Sequence, residues 1–320
     1  MGWFARKTTG VAGAGRDFAP AQRAAVPANP LQAALQLGRY GLFIRPPAEW
    51  RRQAEFAQLS ATALQKLDEN FALVPAGVAT IAVHVNAEPG AKERDVETAP
   101  FLLARCAVTN EQYQLFVDSG AYENTALWPE DLWPHLLKLH DLTGTPGPRF
   151  WQDGRHDRRW GRHPVVGLCW HEAVAYAAWA GLRLPTEAEW QVAAAWSLGP
   201  AAASPRRYPW GDALDLEACN VWASGHGHTL PVDGCPAGAA PNGVLQLVGN
   251  AWEWIDADLD CTDDDGREIV GEAPLKVIRG GAYDTYFPWQ ATSTFRSGLP
   301  SLVRAHNVGF RCALDLTPHT

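Results

Sequence analysis

The chain has 320 residues, with 27 basic and 35 acidic side chains and a formal net charge of −8. This acidic balance argues against nucleic acid as a general partner, because no excess of Lys and Arg exists to neutralise phosphates. No apolar run reaches the length of a membrane span, and the first ten residues, MGWFARKTTG, lack the apolar stretch of a secretory signal. We therefore expect a globular cytoplasmic protein without a membrane span.

The six cysteines do not form a CxxC pair or another close metal-binding pair, and they are predicted to be reduced and mostly buried thiols: Cys106, Cys169, Cys219, Cys235, Cys261 and Cys312. The chain also has 15 Trp, 29 Gly and 24 Pro but only 1 Met. This composition indicates an irregular, aromatic-rich fold with many turns rather than a helical bundle.

The sequence pattern of the N-terminal part of the chain changes twice, from an arm to helices and then to strands. Residues 1–30 are rich in Ala, Gly and Pro and are predicted to form a flexible arm. Residues 31–70 are predicted to form two helices that pack on the main domain, separated by Pro46 and Pro47. From Phe71, the sequence FALVPAGVATIAVHV predicts a strand, a turn and a second strand.

Three helix starts or ends are signalled farther along the chain. Thr109 is a predicted N-cap, Gly181 ends a helix that begins at Trp170, and Thr186 with Glu189 forms a predicted capping box. After Trp196 the pattern predicts short strands between turns. The fold class is therefore α+β, with two central helices, short antiparallel strands and long loops of the kind that often carry function.

Nine motifs along this region occur in the order of a known family: LVPAG, VTNEQYQLFV, HPVVGLCW, AVAYAAWAG, LRLPTEAEW, YPWGD, GNAWEW, RGGAY and GFRCA. On these motifs the chain resembles the formylglycine-generating enzyme family, the sulfatase-modifying domain, whose core is a variant of the C-type lectin fold. The resemblance covers about residues 71–315. Together with the arm over 1–30 and the helical extension over 31–70, this gives one family domain over 71–315, with a candidate variable region over 282–310.

The resemblance also implies an activity. The enzyme oxidises a cysteine of its substrate with two copper-holding cysteines of its own, both between the RGG and GFR motifs. Here the interval from Ala282 to Phe310 contains no cysteine, and thiolates are the soft ligands that select Cu(I). His306 alone cannot replace the pair, so we expect no copper and favour a non-catalytic role. A copper oxidase of this type, or another metal-dependent oxidase of the family, is the alternative.

An iron-dependent alternative is less well supported. Sulfoxide synthases of ergothioneine biosynthesis join this domain to a helical domain that supplies three histidines, whereas the first histidine here is His84. A different triad could come from His156, His163, His171, His226 and His228. Loop histidines on a polar surface are the favoured explanation of these residues.

The same interval is similar to the variable segment of a third group. Variable proteins of diversity-generating retroelements use this domain and diversify the stretch between RGG and GFR. Their AAY template codons cannot become Lys, Glu, Gln, Met or Trp. The segment 282–310 contains no Lys, Glu or Met, and only Trp289 and Gln290 lie outside the reachable set. Pro288, Arg296, Pro300 and Arg304 resemble the framework of such regions. The alternative is an ordinary irregular loop of an inert family member.

This resemblance predicts an exposed recognition surface that binds an unknown ligand, which we expect to be a protein. Stiff aromatic side chains and small polar neighbours make the segment similar to a paratope. The candidate ligand-binding residues are Tyr283, Asp284, Thr285, Tyr286, Phe287, Trp289, Gln290, Thr292, Thr294, Phe295, Ser297, Gly298, Leu299, Ser301, Leu302, Val303, Ala305 and His306. A scaffold or regulatory subunit that binds a partner through its N-terminal helices is a further alternative.

A calcium site is implied by the GNAWEW motif. Glu253 matches a family calcium position, at which Gly249 and Ala251 would supply carbonyl oxygens and Gln246 stands where the family usually has Asn. Hard oxygen ligands of this kind suit Ca²⁺, and calcium is therefore the predicted cofactor. The alternative is a Glu253 that bonds to nearby groups of the protein. Elsewhere, Arg279 and Arg311 are expected to pair with buried carboxylates such as Glu187 or Glu189.

Overall fold

The computed structural model describes residues 26–82, 93–198, 205–259 and 274–316. Most of the predicted arm, His84 and Cys261 lie outside these ranges. The helices in them are α1 (Pro30–Gln36), α2 (Phe56–Asn70), α3 (Asn110–Asp118), α4 (Trp133–Leu136), α5 (Trp170–Trp179) and α6 (Glu187–Ala195). The strands are β1 (Phe71–Val74), β2 (Gly77–Ala82), β3 (Glu93–Thr98), β4 (Phe101–Ala104), β5 (Trp252–Asp258), β6 (Leu275–Arg279), β7 (Arg296–Pro300), β8 (Val308–Gly309) and β9 (Ala313–Asp315).

Short 3₁₀ turns occupy much of the remaining chain: Tyr40–Phe43, Trp50–Arg52, Thr125–Leu127, Glu130–Leu132, Arg158–Trp160, Trp222–Ser224, Pro236–Gly238 and Pro288–Gln290. No helix within the described ranges is long and apolar enough to cross a membrane. The composition rich in Gly, Pro and Trp thus corresponds to a fold in which turns, rather than long helices, carry the chain.

The helices predicted near the N-terminus are present in shorter pieces. α1 and α2 enclose a small apolar cluster that includes Leu31, Phe43 and Trp50, and Leu67 of α2 joins the main core. The chain leaves α1 through Gly38, whose φ of +72° is a conformation that glycine adopts without strain. Arg39 fastens this part to the main domain, because its Nε donates to the carbonyl of Trp179 at 2.6 Å.

The strands form three sheets. β1, β4 and β9 form an antiparallel sheet in that order, β2 pairs with β3, and the largest sheet has the order β7-β6-β5-β8. The predicted strand, turn and strand after Phe71 are present as β1 and β2, but each pairs in a different sheet. Among the strands that the structure describes, the prediction of antiparallel pairing has one exception, because β5 and β8 run parallel.

The predicted caps fix the ends of the helices. Thr109 forms a capping box with Gln112 at the start of α3, and Thr186 forms one with Glu189 at the start of α6. Gly181 follows α5 with a φ of +74°, and a Cβ there would lie 2.4 Å from the backbone nitrogen of Leu42. These local signals confirm the sequence-based helix boundaries and place α5 and α6 as the two central, largely buried helices.

A buried ion pair connects the centre of the molecule. Glu253 on β5 and Arg311 between β8 and β9 are 1% and 0% exposed. The Arg311 guanidinium donates to both carboxylate oxygens, with Nε 2.9 and 2.8 Å away and Nη2 2.7 Å from Oε1. Trp190 of α6 donates its indole N–H to the same carboxylate at 2.8 Å. Arg311 also donates to the carbonyls of Ala104 and Leu245. One charge pair therefore joins β4, β5, α6 and the C-terminal strands.

Both buried arginines pair with a buried carboxylate, as expected, and one of the two carboxylates is a residue named in advance. Arg279 pairs with Glu187, as expected, at 3.1 Å. Arg311 does not pair with Glu187 or Glu189, because Glu253 lies directly against it across the parallel β5–β8 pair. Glu189 instead pairs with Arg183.

Replacing Arg311 tests this arrangement. Arg311→Met leaves the Glu253 carboxylate buried without a cation, and we expect it to lower the free energy of unfolding by about 3–5 kcal/mol. The control is Arg162→Met, because Arg162 and Asp233 form an exposed pair that contributes roughly 0–1 kcal/mol. Urea unfolding measures both variants. Equal stabilities for the two variants would contradict a central role for the buried pair.

Candidate functional site

The segment predicted to be variable is partly a strand. It leaves β6 through Gly280 and Gly281, both at positive φ, and forms a loop up to Phe295. Residues 296–300 are then β7, which pairs with β6 so that Gly298 lies opposite Val277. A Cβ at Gly298 would lie 2.3 Å from Leu259 Cδ2. Gly298 therefore packs closely within the sheet, and its ligand-binding role stays a prediction.

Three predicted ligand-binding residues are buried and hold the loop together. Thr285, Thr292 and Ser301 are 7%, 6% and 2% exposed. The Thr285 hydroxyl accepts the N–H of Ala282 at 2.8 Å, and the carbonyl of Ser301 accepts the N–H of Trp170 at 3.1 Å. These residues satisfy backbone groups at the point where the chain turns. The prediction that they lie on the exposed surface is wrong.

Several apolar candidates belong to the core. Phe295, Leu299, Leu302 and Ala305 are half-buried and pack against the main hydrophobic cluster. Ser297 and Val303 are also half-buried. The expectation that the candidate residues form an exposed recognition surface is therefore wrong for this half of the segment. The cause is that β7 and the chain after it cover one side of the core.

The exposed half of the segment carries an aromatic surface. We use this name for Trp222, Tyr286, Phe287 and Trp289, which are 58%, 64%, 50% and 54% exposed. Their rings form a row with centroid distances of 6.1, 5.2 and 5.8 Å. Trp222 comes from a different loop, tied to this one by its N–H, which donates to the carbonyl of Thr285 at 3.2 Å. No motif pointed to Trp222, and its only sequence signal is a Trp among small and polar loop residues.

The other exposed or half-buried candidates flank this surface. Thr294 and His306 are exposed, and Gln290 is half-buried. Asp284 accepts a hydrogen bond from Asn307 at 3.0 Å and lies 2.9 Å from Nε2 of His306. Burial and the neighbouring Asp284 carboxylate both raise the pKa of Tyr283. The two ends of the segment are thus held together beside the aromatic surface.

A cavity of about 450 Å³ opens next to Tyr283. We call it the histidine cavity, and the lining residues used below are Trp151, His156, Trp160, His163, His228, Thr229, Tyr283 and His306. Its volume lies within the range of small-molecule sites. Three of the five histidines considered as a metal triad therefore meet here, whereas His171 lies against Trp170 on α5. The sequence did not link them to His306, because they come from separate loops.

The histidines of the cavity are not arranged as a metal site. Within the described ranges, no three His, Cys, Asp or Glu side chains are placed to hold a metal ion. His163 is 8% exposed, and burial lowers its pKa to about 4. Its imidazole is therefore neutral at pH 7. Trp160 packs edge-on against His163 and His228 at centroid distances of 4.7 and 5.3 Å.

The residues proposed for calcium have other partners. The Glu253 carboxylate is paired with Arg311, and the side-chain oxygen of Gln246 accepts the amide of Asn250 at 2.7 Å. The carbonyl of Gly249 accepts the N–H of Ala251 at 3.0 Å. A second cation does not fit a carboxylate that already holds a guanidinium. Calcium at these residues stays a prediction from the resemblance, and the contacts favour the alternative, a Glu253 bonded within the protein.

The cysteines do not fit the copper chemistry of the family. The five described cysteines, Cys106, Cys169, Cys219, Cys235 and Cys312, are free, and all but the half-buried Cys106 are buried. Burial raises the pKa of every one of these thiols, that of Cys219 to about 12. None of these five positions lies between residues 282 and 310, the interval in which the resemblance places the copper-holding pair.

Comparison with known proteins defines the family. The model of the sulfatase-modifying factor enzyme 1-like domain matches residues 56–316. The chain therefore belongs to this family, as its motifs predicted, and has the α+β, C-type-lectin-like fold expected of it. The match includes helix α2 as well as the sheets and central helices.

Two enzymes and one solved structure are among the proteins that this chain is similar to. The formylglycine-generating enzyme of Thermomonospora curvata is 33% identical over 267 residues, covering 69% of this chain and 84% of that protein. Hercynine oxygenase of Mycobacterium tuberculosis is 38% identical over 213 residues, covering 59% of this chain. The chain spans about half of that oxygenase, 46% of its length. The crystal structure of CarF is similar in fold alone, at 21% identity and a TM-score of 0.52, covering 78% of this chain and 98% of that one.

The division of the segment into exposed and packed halves is testable. Replacing Tyr286, Phe287 and Trp289 together by Ser is expected to change the free energy of unfolding by at most about 0.5 kcal/mol per site, because the rings are exposed. The matched triple replacement of Phe295, Leu299 and Leu302 by Ser is expected to cost roughly 2 kcal/mol per side chain. Denaturant unfolding compares the two. Unfolding of the first triple variant would show that the aromatic surface is structural.

Proposed function

We propose that this chain is a ligand-binding protein that recognises a polypeptide through the aromatic surface. The observation that carries the proposal is the row of four exposed rings, Trp222, Tyr286, Phe287 and Trp289. Contiguous exposed apolar area of this kind marks interaction sites. Aromatic side chains supply large contact area with few rotatable bonds, and they are enriched at protein interfaces.

The rigid base of this surface supports the proposal. Arg279 and Arg296 both contact Glu187, at 3.1 and 3.0 Å, on the two sides of the exposed loop. Farther along, Arg304 donates to both oxygens of the buried Glu172 at 2.9 Å. A loop held at both ends loses little conformational entropy on binding, which favours affinity. Binding residues on loops over a rigid scaffold are a common arrangement.

In its finer form, the proposal is that the surface belongs to a variable protein of a diversity-generating retroelement. The framework residues Arg296 and Arg304 are ion-paired, while Tyr286 and Phe287 are exposed and reachable from AAY codons. Trp289 is not reachable and would be template-constant. Neighbouring DNA tests this part directly. A reverse transcriptase gene with a near-copy of the coding stretch that differs at adenines supports it, and a locus without both contradicts it.

The binding function itself is tested with a phage-displayed library of random peptides. We expect the full chain to enrich peptides that the Tyr286, Phe287 and Trp289 triple Ser variant no longer retains. The control replaces three exposed apolar residues outside the aromatic surface, Trp133, Leu137 and Leu214, by Ser. Retention by both triple variants, or no enrichment over an empty support, would contradict the proposal.

A second candidate function is an oxidase or oxygenase of the family. It is favoured by the names of the relatives, formylglycine-generating enzyme and hercynine oxygenase, and opposed by the cysteine-free interval 282–310. The donor set does not fit the copper pair, so we derive no catalytic step.

We expect no oxidation of a Cys-x-Pro-x-Arg peptide when the chain is incubated with copper and oxygen. Mass spectrometry of the peptide detects formylglycine, and a no-protein sample sets the background. Turnover above this background would replace the binding function by the enzymatic one.

A further inference from the structure

The histidine cavity contains two buried imidazoles that the proposed function does not use. His156 and His163 are 5% and 8% exposed. Nδ1 of His156 lies 3.0 Å from the carbonyl of Asp157, and Nδ1 of His163 lies 3.0 Å from the hydroxyl of Thr229. Within the described ranges, neither ring has a hydrogen-bond partner for Nε2. Neither Nε2 atom is among the enclosed side-chain atoms that lack a partner, so both ring nitrogens keep some accessible surface where these rings line the cavity, and a ligand can reach them.

The tautomer of His156 follows from its neighbour. A carbonyl oxygen only accepts, so Nδ1 of His156 carries the hydrogen and donates it to Asp157. In the neutral ring Nε2 is then a lone-pair acceptor. The same argument applies to His228 at the rim, whose Nδ1 lies 2.7 Å from the carbonyl of Thr229. The cavity therefore offers acceptors to a ligand that carries N–H or O–H groups.

The remaining walls select the shape of that ligand. Trp151 is buried in the lining, and Trp160 and Tyr283 are half-buried, so flat ring surfaces border the acceptors. The charged residues of the lining are mutually paired, because the Arg159 guanidinium donates to Asp157 at 2.6 and 3.1 Å. Aromatic walls without an unpaired charge favour a neutral ring stacked flat or edge-on.

We propose that the histidine cavity binds a neutral aromatic ring that carries a hydrogen-bond donor, a phenol or an indole. This inference deepens the proposed function and rests on it in one respect, namely that the ring is a Tyr or Trp side chain of the bound polypeptide. The geometry allows both contacts at once, because Tyr283 lines the cavity and Tyr286, three residues later, lies on the aromatic surface. A bound chain would lie across the aromatic surface and insert one side chain into the cavity.

The test uses small probes and the full chain. p-Cresol and 3-methylindole each have an aromatic ring and a hydrogen-bond donor. Toluene has an aromatic ring without a donor, and cyclohexanol has a hydroxyl donor without an aromatic ring. Protein-observed NMR of the tryptophan indole N–H signals, assigned by single Trp variants, locates each probe. We expect p-cresol to shift the Trp151 and Trp160 signals and to bind roughly tenfold more tightly than toluene, the effect of about one hydrogen bond.

A matched pair of histidine variants isolates the acceptor. His156→Phe keeps a ring but removes Nε2, and we expect it to abolish the preference for p-cresol over toluene. His140→Phe is the control, because His140 has the same Nδ1 contact to a following carbonyl, that of Asp141 at 3.0 Å, but does not line the cavity. His156→Asn, which keeps a donor toward Asp157, repeats the test should the Phe variant unfold. Equal affinity for p-cresol and toluene in the native chain, or shifts confined to other tryptophans, would overturn the proposal.

The source of the ring is settled by one further probe. N-acetyltyrosinamide that binds with the same dependence on His156 supports a side chain of a polypeptide. Binding of p-cresol without binding of the amide supports the aromatic class and contradicts the polypeptide source. The aromatic surface is tested with Tyr286, Phe287 and Trp289, and the cavity with His156, so failure of one proposal is distinguishable from failure of the other.

Discussion

The arrangement of the molecule depends on a carboxylate and a guanidinium that are both removed from water. Glu253 and Arg311 have almost no exposed surface, and two such charges are stable in the interior only when each is paired and its remaining hydrogen-bonding capacity is used. The indole of Trp190 and the carbonyls of Ala104 and Leu245 complete this requirement. Because these groups come from a helix, two strands and a loop, the pair fixes the relative position of elements that are far apart in the sequence. This geometric specificity, rather than a gain in net stability, is its main consequence.

The same constraint recurs along the segment that carries the aromatic surface. Glu187 is shared by Arg279 and Arg296, and Glu172 holds Arg304. Each arginine anchors one point of the backbone between β6 and β8 to a central helix, since Glu187 belongs to α6 and Glu172 to α5. The chain between these arginines is short, so the residues that project into solvent form tight loops. The exposed rings lie on one of these loops, which explains how a largely buried segment still presents aromatic area to solvent.

Sequence reasoning succeeded where the signal is local. The capping boxes at Thr109 and Thr186 depend on residues three positions apart, and the family motifs fix their own order, so the helix starts, the family and the fold class were predictable. It failed where the answer depends on distant residues. The resemblance places the stretch around Gly298 and Pro300 in an exposed recognition segment, yet this stretch is β7, because it pairs with β6 and packs on Leu259. The partner of Glu253 lies 58 residues away, and the cavity combines loops that no spacing rule connects.

The separation of the cavity from the exposed loop has a consequence for recognition. The aromatic surface lies mainly within residues 286–289, whose aromatic side chains are exposed to solvent. His156 and His163 are buried and lie outside the segment 282–310. Under the proposed function, changes in the segment alter which polypeptide backbone or neighbouring side chains are accepted without altering the imidazole acceptors. Tyr283 is the point of contact between the two parts, because it lines the cavity from within the segment. The two proposals together describe a site with one constant chemical requirement, a neutral ring with a donor, below a surface whose remaining contacts are free to change.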